Sequence, residues 1–359
     1  MTCREVSVNM IHGFILTVVG GISTGFCLLP LKYARIWKFE NFWFVYTVVS
    51  LLIVPPVLAY ALCPGLIGVY QSVPLHVLVK PFVFGTLWGF AQLGAGVGVH
   101  RLGFAVTGTI LGGVGTTVGT LVPLVMQHSN LMLQTSGLLI FAGTGITLVA
   151  VSLCGWAGFH REQLTRQQGR GAGFGSHETA LSQAEPTSKG YVLMLIAVIV
   201  SGVLSAFTNI ALGYAGDLMQ RVREAGAAPQ WAPFAVWPVV LLGGSIANLG
   251  YSFFLMTRNK TWGNFGGGLR EAFNPTLGAC LWMGGIALYS SATTYMGVLG
   301  VSIGFALFTI ILILCGQLSG VVNSEWKQIP PRIFGTFAMG VALLLLAIIT
   351  FGAANYYSI

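Results

Sequence analysis

The sequence predicts an all-α polytopic membrane protein, with ten transmembrane helices arranged as two inverted five-helix repeats. Three observations carry this. Of 359 residues, 55% are hydrophobic and 7% are charged, where a soluble domain carries about 25% charge. The apolar residues fall into ten continuous runs, each about 20 residues, the length that crosses a hydrocarbon core of roughly 30 Å. A polar, glycine-rich stretch after the fifth run divides them five and five. Barrel strands would show shorter runs of alternating apolarity, so the spans are helices.

The spans fall at 9–30, 42–63, 77–98, 103–125, 132–155, 190–212, 232–257, 275–296, 299–321 and 334–355. The first lacks a small-residue cleavage site and reads as a span, not a signal peptide. The third and fourth, joined by His100-Arg101-Leu102-Gly103, carry no acid or base between 84 and 99 or between 104 and 125. Both hold glycines at helical spacing: Gly85/Gly89, Gly94/Gly98, Gly108/Gly112 and Gly115/Gly119. Such pairs bring helix backbones close in lipid, where the hydrophobic effect does not hold helices together. Trp88 and Gln92 stand one turn apart on this helix, on one side of it. An aromatic and an amide on a small-residue helix read as part of a transport path.

After the fifth span, 156–188 contains Gly169-Arg170-Gly171-Ala172-Gly173-Phe174-Gly175 followed by Ser, Thr, Gln and Glu, a flexible linker. The organisation is therefore 1–155, a five-helix repeat; 156–188, a cytoplasmic linker; and 189–359, a second five-helix repeat. The halves share a weak likeness. Gly13-Phe14-Ile15-Leu16 is echoed by Gly190-Tyr191-Val192-Leu193, and Leu87-Trp88 followed by Leu102-Gly103 by Leu281-Trp282 followed by Leu299-Gly300. Five is odd, so equivalent helices run in opposite directions, the inverted plan of many secondary transporters.

Lys and Arg orient the spans. The N-terminal, even-loop and C-terminal side holds Arg4, Lys80, Arg221 and Arg223; the other thirteen of the seventeen bases lie in the odd loops. The odd loops are expected in the cytoplasm and both termini outside. The net charge of +8 follows from these loop bases, and no basic run interleaved with aromatics points to nucleic acid. The six cysteines, Cys3, Cys27, Cys63, Cys154, Cys280 and Cys315, form no CxxC or Cys/His cluster, so neither zinc nor a disulfide framework is expected. No GxxxxGK[ST] or HExxH occurs, which excludes the common nucleotide- and metal-dependent hydrolases, and no enzyme and no cofactor are expected.

A binding site for a neutral polyol needs amides and hydroxyls for its hydroxyl groups and an aromatic face for its C–H surface. The candidates are Trp88, Gln92, Asn209, Asn248, Tyr289 and Ser290, all within spans. An amide at membrane depth is costly unless partnered, and interhelical hydrogen bonding is the competing role for each. Trp37, Trp43 and Trp326, near span ends, read as interfacial aromatics. None of the nine acids falls in the middle of a span, although a proton relay usually places an ionisable group there. His12, Lys32, Asp217 and Thr293 are the coupling or gating candidates. The coupling ion stays open between a proton and a cation such as sodium, held by neutral oxygens of the kind Ser290, Ser291, Thr293 and Thr294 supply.

The chain resembles the L-rhamnose–proton symporter family of the drug/metabolite transporter superfamily over nearly all its length. The resemblance rests on Cys27-Leu28-Leu29-Pro30-Leu31-Lys32, Phe84-Gly85-Thr86-Leu87-Trp88-Gly89, Arg101-Leu102-Gly103 and Val118-Gly119-Thr120-Leu121-Val122-Pro123. It continues in Gly243-Gly244-Ser245-Ile246-Ala247-Asn248-Leu249-Gly250 and Glu325-Trp326-Lys327. It implies the drug/metabolite transporter fold, a bacterial inner-membrane location and outward-facing termini. The expected function is secondary active transport of a small neutral solute, a sugar such as L-rhamnose or a related monosaccharide, by alternating access. Its partners are the sugar, a coupling proton or sodium ion, and the lipid bilayer. An exporter of an apolar metabolite or drug on the same scaffold is the alternative, motivated by the acid-free, glycine-rich path.

Overall fold

The computed structural model describes residues 3–33, 36–167, 188–322 and 324–358. Among them it is helical, without strands. Helix α1 is Cys3–Gly25; α2 (Phe39–Thr47) runs through a π-helical turn (Val48–Ile53) into α3 (Val54–Leu62). Short α4 (Leu66–Ser72) leads to α5 (Leu75–Leu102), α6 (Phe104–Gln127) and α7 (Thr135–Gln167). The second half has α8 (Ser188–Ser205), α9 (Phe207–Tyr214), α10 (Gly216–Glu224), α11 (Trp237–Asn259), α12 (Leu269–Tyr295), α13 (Gly300–Val322) and α14 (Pro331–Tyr356). Large apolar side chains stand exposed along these helices, among them Val57, Leu193 and Ile349. In water that surface would be a liability; against lipid tails it is the expected exterior.

Nine helical segments among the described residues are long and apolar enough to cross a membrane. Helix α12 has 27 residues but is not one of the nine; Tyr289, Ser290, Ser291, Thr293 and Thr294 make its second half more polar. Helix also continues past the expected end of the fifth span, to Gln167, so the first part of the stretch read as linker is the last three turns of α7. The glycine run at 169–175 lies outside the described residues.

The helix contacts follow a pattern. Helix α5 packs on α8 and α11, and α12 packs on α1 and α2. Helix α6 packs on α7, α8 and α13; α13 packs on α1, α6 and α14; and α7 packs on α14. The α5–α11 crossing depends on glycine. A Cβ on Gly85 would lie 1.8 Å from the Val240 carbonyl oxygen, and one on Gly244 would lie 2.7 Å from the Trp88 ring. At such separations backbone meets backbone, as small-residue crossings in membranes require. Helices α1 and α12 approach in the same way, with Gly20 facing the Gly285 carbonyl.

Candidate functional site

Four of these elements meet around one small chamber, lined by Trp43, Tyr46, Thr47, Leu51, Trp88, Gln92, Asn248 and Trp282. Trp88 is residue fourteen of the 28 in α5, Asn248 is residue twelve of the 23 in α11, and Trp282 is residue fourteen of the 27 in α12. Thr47 and Leu51 come from the π-helical turn and the residue before it. The chamber therefore sits at the midpoints of its helices.

The π-turn has a local cause. Pro55 and Pro56 open α3 and supply no N–H to the turn before them. Hydrogen bonding shifts register there, and the Val54 N–H reaches back to the Val49 carbonyl. An i→i+5 turn of this kind inserts a residue and redirects the side chains around it, which is why such turns cluster at functional sites.

Aromatic rings form the walls. Trp88 and Trp282 stack with centroids 5.8 Å apart and 23° between planes. Trp43 stacks on Tyr46 at 5.2 Å and 18°. Beside the hydroxyls of Tyr46 and Thr47, the lining carries two amides. Asn248 is buried and doubly held: its Oδ1 accepts from the Trp43 Nε1–H at 3.1 Å and its Nδ2 donates to the Gly244 carbonyl at 2.9 Å. Gln92 is half-buried on the chamber wall, and among the described residues nothing hydrogen-bonds its side chain. The free volume is about 40 Å³, room for about three waters. Each aromatic face can cover apolar C–H surface, while Gln92 offers two donors and an acceptor. This is the donor set of a site for a small uncharged polar solute.

Of the residues singled out from sequence, the structure brings Trp88, Gln92 and Asn248 together here. Three others lie elsewhere. Asn209 and Tyr289 are buried against each other: the Tyr289 hydroxyl donates to Asn209 Oδ1, and Asn209 Nδ2 donates to the Gly119 carbonyl at 2.7 Å. Ser290 Oγ accepts from Trp237 Nε1–H at 2.8 Å and donates to the Ile286 carbonyl. Thr293 Oγ1 donates to the Ser290 carbonyl. These bonds knit α12 to its neighbours. His12 is exposed, its ring 6.4 Å from that of Tyr295. Asp217 lines a larger cleft of about 310 Å³ between α5 and α10, with His76, Gln220, Arg221 and Glu224. That cleft is at the end of the bundle, away from the helix midpoints. The side chain of Lys32 lies outside the described residues.

Sequence reasoning missed Trp43, Tyr46 and Trp282. Trp43 falls five residues into α2, where a tryptophan reads as an interfacial anchor; here its indole reaches inward to Asn248. Trp282 was visible only as the second-half echo of Trp88.

A helical bundle that opens a chamber of aromatics and amides at the midpoints of its spans is a multi-pass membrane carrier of small solutes. The chain belongs to the L-rhamnose-proton symport protein family, whose model matches residues 6–355. Proteins described as L-rhamnose-proton symporters, from Escherichia coli and Shigella boydii, are each 25% identical to it, over 96% of this chain and 98% of theirs. The family consists of transporters and not enzymes.

Proposed function

We propose that this protein imports a neutral monosaccharide of the L-rhamnose type, driven by a proton gradient, with Trp43, Tyr46, Trp88, Gln92, Asn248 and Trp282 forming the substrate site. The observation that carries the reading is the convergence of stacked indoles and an unengaged amide at the midpoints of α5, α11 and α12. A 6-deoxy sugar presents a C–H face and a methyl group to the rings and a row of hydroxyls to Gln92. The family match favours a proton over sodium as the coupling ion, and nothing in it favours the export alternative.

The chamber is too small for a hexose, so binding requires the helices to part. The mechanism is alternating access between two five-helix halves, 1–155 and 189–359, joined through 156–188. The helix contacts support this. Pair each span with the one five later, and the α5–α11 contact becomes α12–α2, α1–α12 becomes α8–α5, α6–α7 becomes α13–α14, and α1–α13 becomes α8–α6. The chamber is built from the second and third spans of each half, so the same exchange maps it onto itself and Trp88 onto Trp282. The Lys and Arg asymmetry supports outward-facing termini in a bacterial inner membrane.

The test is uptake by the purified chain in liposomes. Labelled L-rhamnose should accumulate when the outside is made acidic, and Trp88→Ala or Gln92→Ala should reduce uptake at least about tenfold, the equivalent of roughly 1.4 kcal/mol. Absence of uptake or binding across a panel of neutral sugars would sink this reading.

A further inference from the structure

We propose that Glu40 carries the coupling proton and that its hydrogen bonds to Asn259 and Thr261 are the latch that proton uptake releases. The inference rests on the proton-driven reading above. No acid lines the chamber, yet a carboxyl group is buried close to it. Glu40, in the first turn of α2, is 1% exposed. Its Oε1 accepts from Asn259 Nδ2 at 3.0 Å and from Thr261 Oγ1 at 2.9 Å. Both donors are neutral, and among the described residues no cation pairs with it.

The position makes the group mechanically relevant. Residues 36–41 belong to the first half and 259–271 to the second. Glu40 ties them, and so do the neighbouring contacts. Asn41 Nδ2 donates to the Thr261 carbonyl, Asn264 Nδ2 donates to Asn41 Oδ1, and Glu271 Oε2 accepts from the Ile36 and Trp37 N–H groups. These bonds close one end of the bundle, the side expected in the cytoplasm. Glu40 is also three residues before Trp43, a neighbour on the helix surface, and Trp43 holds Asn248 in the chamber. A movement of α2 at Glu40 is thus carried to the solute site.

Protonation changes the bonding directly. A carboxylate oxygen can accept from two donors at once. A proton on Oε2 leaves Oε1 a neutral carbonyl acceptor, which weakens both charge-assisted bonds from Asn259 and Thr261 and removes one negative charge from the seam. Among the described side chains the surrounding ionisable groups are few. Helix α2 and its approach bring Lys38 and Tyr46, α11 and its end bring Arg258 and Lys260, both exposed, the start of α12 brings the buried Glu271, and the loop after α1 brings Cys27. The π-helical turn and the 3-10 helix Trp262–Gly267 bring none.

The experiment compares wild type and Glu40→Gln, reconstituted as the full chain, in two assays with labelled L-rhamnose. One is accumulation against an imposed pH gradient; the other is sugar-for-sugar exchange without a gradient. Glu40→Gln should lose accumulation at least about tenfold and become indifferent to outside pH, while exchange stays within about twofold of wild type. Accumulation by Glu40→Gln with the wild-type pH profile overturns the proposal, as does loss of exchange together with accumulation, the mark of a purely structural group. If Glu40→Gln does not fold, Thr261→Val and Asn259→Ala carry the test. Each removes one donor from Oε1 and should move the pH midpoint of accumulation by at least about half a unit, a roughly threefold change in proton affinity; an unmoved midpoint in both overturns the proposal. A wild-type protein that exchanges sugar but ignores pH removes proton coupling itself, an outcome distinct from a proton-driven wild type with an unaffected Glu40→Gln.

Discussion

Asn248 and Gln92 are both amides on the same chamber, yet they do different work. Asn248 spends its oxygen on Trp43 and one donor on the Gly244 carbonyl, so it orients a tryptophan and holds α2 to α11. Gln92 has no side-chain hydrogen bond among the described residues and is the amide proposed to bond a solute. The distinction is testable. Trp43→Phe keeps a ring and removes the N–H, leaving the buried Asn248 oxygen without its donor, a loss of about 1–3 kcal/mol in a protein interior and about 1 kcal/mol between membrane helices. It should lower both thermal stability and sugar affinity. Gln92→Ala removes no bond within the protein and should lower affinity with the melting temperature unchanged. A matched fall in melting temperature for Gln92→Ala would show that it is a structural amide. Trp88, Gln92 and Asn248 were legible in the sequence because each is a large or polar side chain set among glycines and alanines. Trp43 was not, since a tryptophan near a span end is usually an anchor and only the tertiary fold turns it inward.

At the scale of elements, the glycine pairs were informative for a physical reason: a missing side chain is visible in sequence, and in lipid it means contact. Gly85 and Gly89 do meet α11, where a Cβ on Gly85 would stand 1.8 Å from the Val240 oxygen. Gly108 meets nothing within 4 Å, so the spacing alone does not say which pairs are used. Gly85→Ala should push α5 from α11 at a cost of about 1–3 kcal/mol, read as a drop in thermal stability in detergent, with sugar affinity falling because Trp88 rides on the same helix. Gly108→Ala is the control and should be neutral. Short α4 and α10 escaped the sequence reading because neither is long enough to register as a span, and α10 carries Asp217, Arg221, Arg223 and Glu224. The π-helical turn escaped it because nothing but the Pro55-Pro56 pair announces a register shift. Deleting one residue within Val48–Ile53 should restore ordinary α-helix and rotate Trp43 and Tyr46 by about 100° relative to α3. Such a protein should express and melt cooperatively yet fail to take up sugar; retained uptake would show that the turn does not position the site.

For the whole molecule, the ten apolar runs and the loop bases make one linked claim, and the fold bears on only part of it. Nine segments among the described residues are long and apolar enough to cross a membrane; α12 is a full-length helix whose hydroxyls dilute its apolarity, and the orientation expected for all ten depends on counting it. With α12 inside the bilayer, thirteen of seventeen bases fall on one side; without it, the last two spans reverse, Lys327 and Arg332 change sides, and the split weakens to eleven against six, a poorer fit to the bias that loop bases impose on membrane insertion. Its packing favours inclusion, because α12 lies between α1, α2 and α13 and supplies Trp282 to the chamber. Reporter fusions decide the matter. A periplasmic alkaline phosphatase fused after residue 359 should be active and a cytoplasmic fluorescent protein there dark; fused within 168–187, the pattern should invert. Activity of the same reporter at both positions would place an even number of spans between them rather than the expected five, as when α12 lies outside the bilayer, and Trp88 and Trp282 would lose the exchange relation proposed for the two halves.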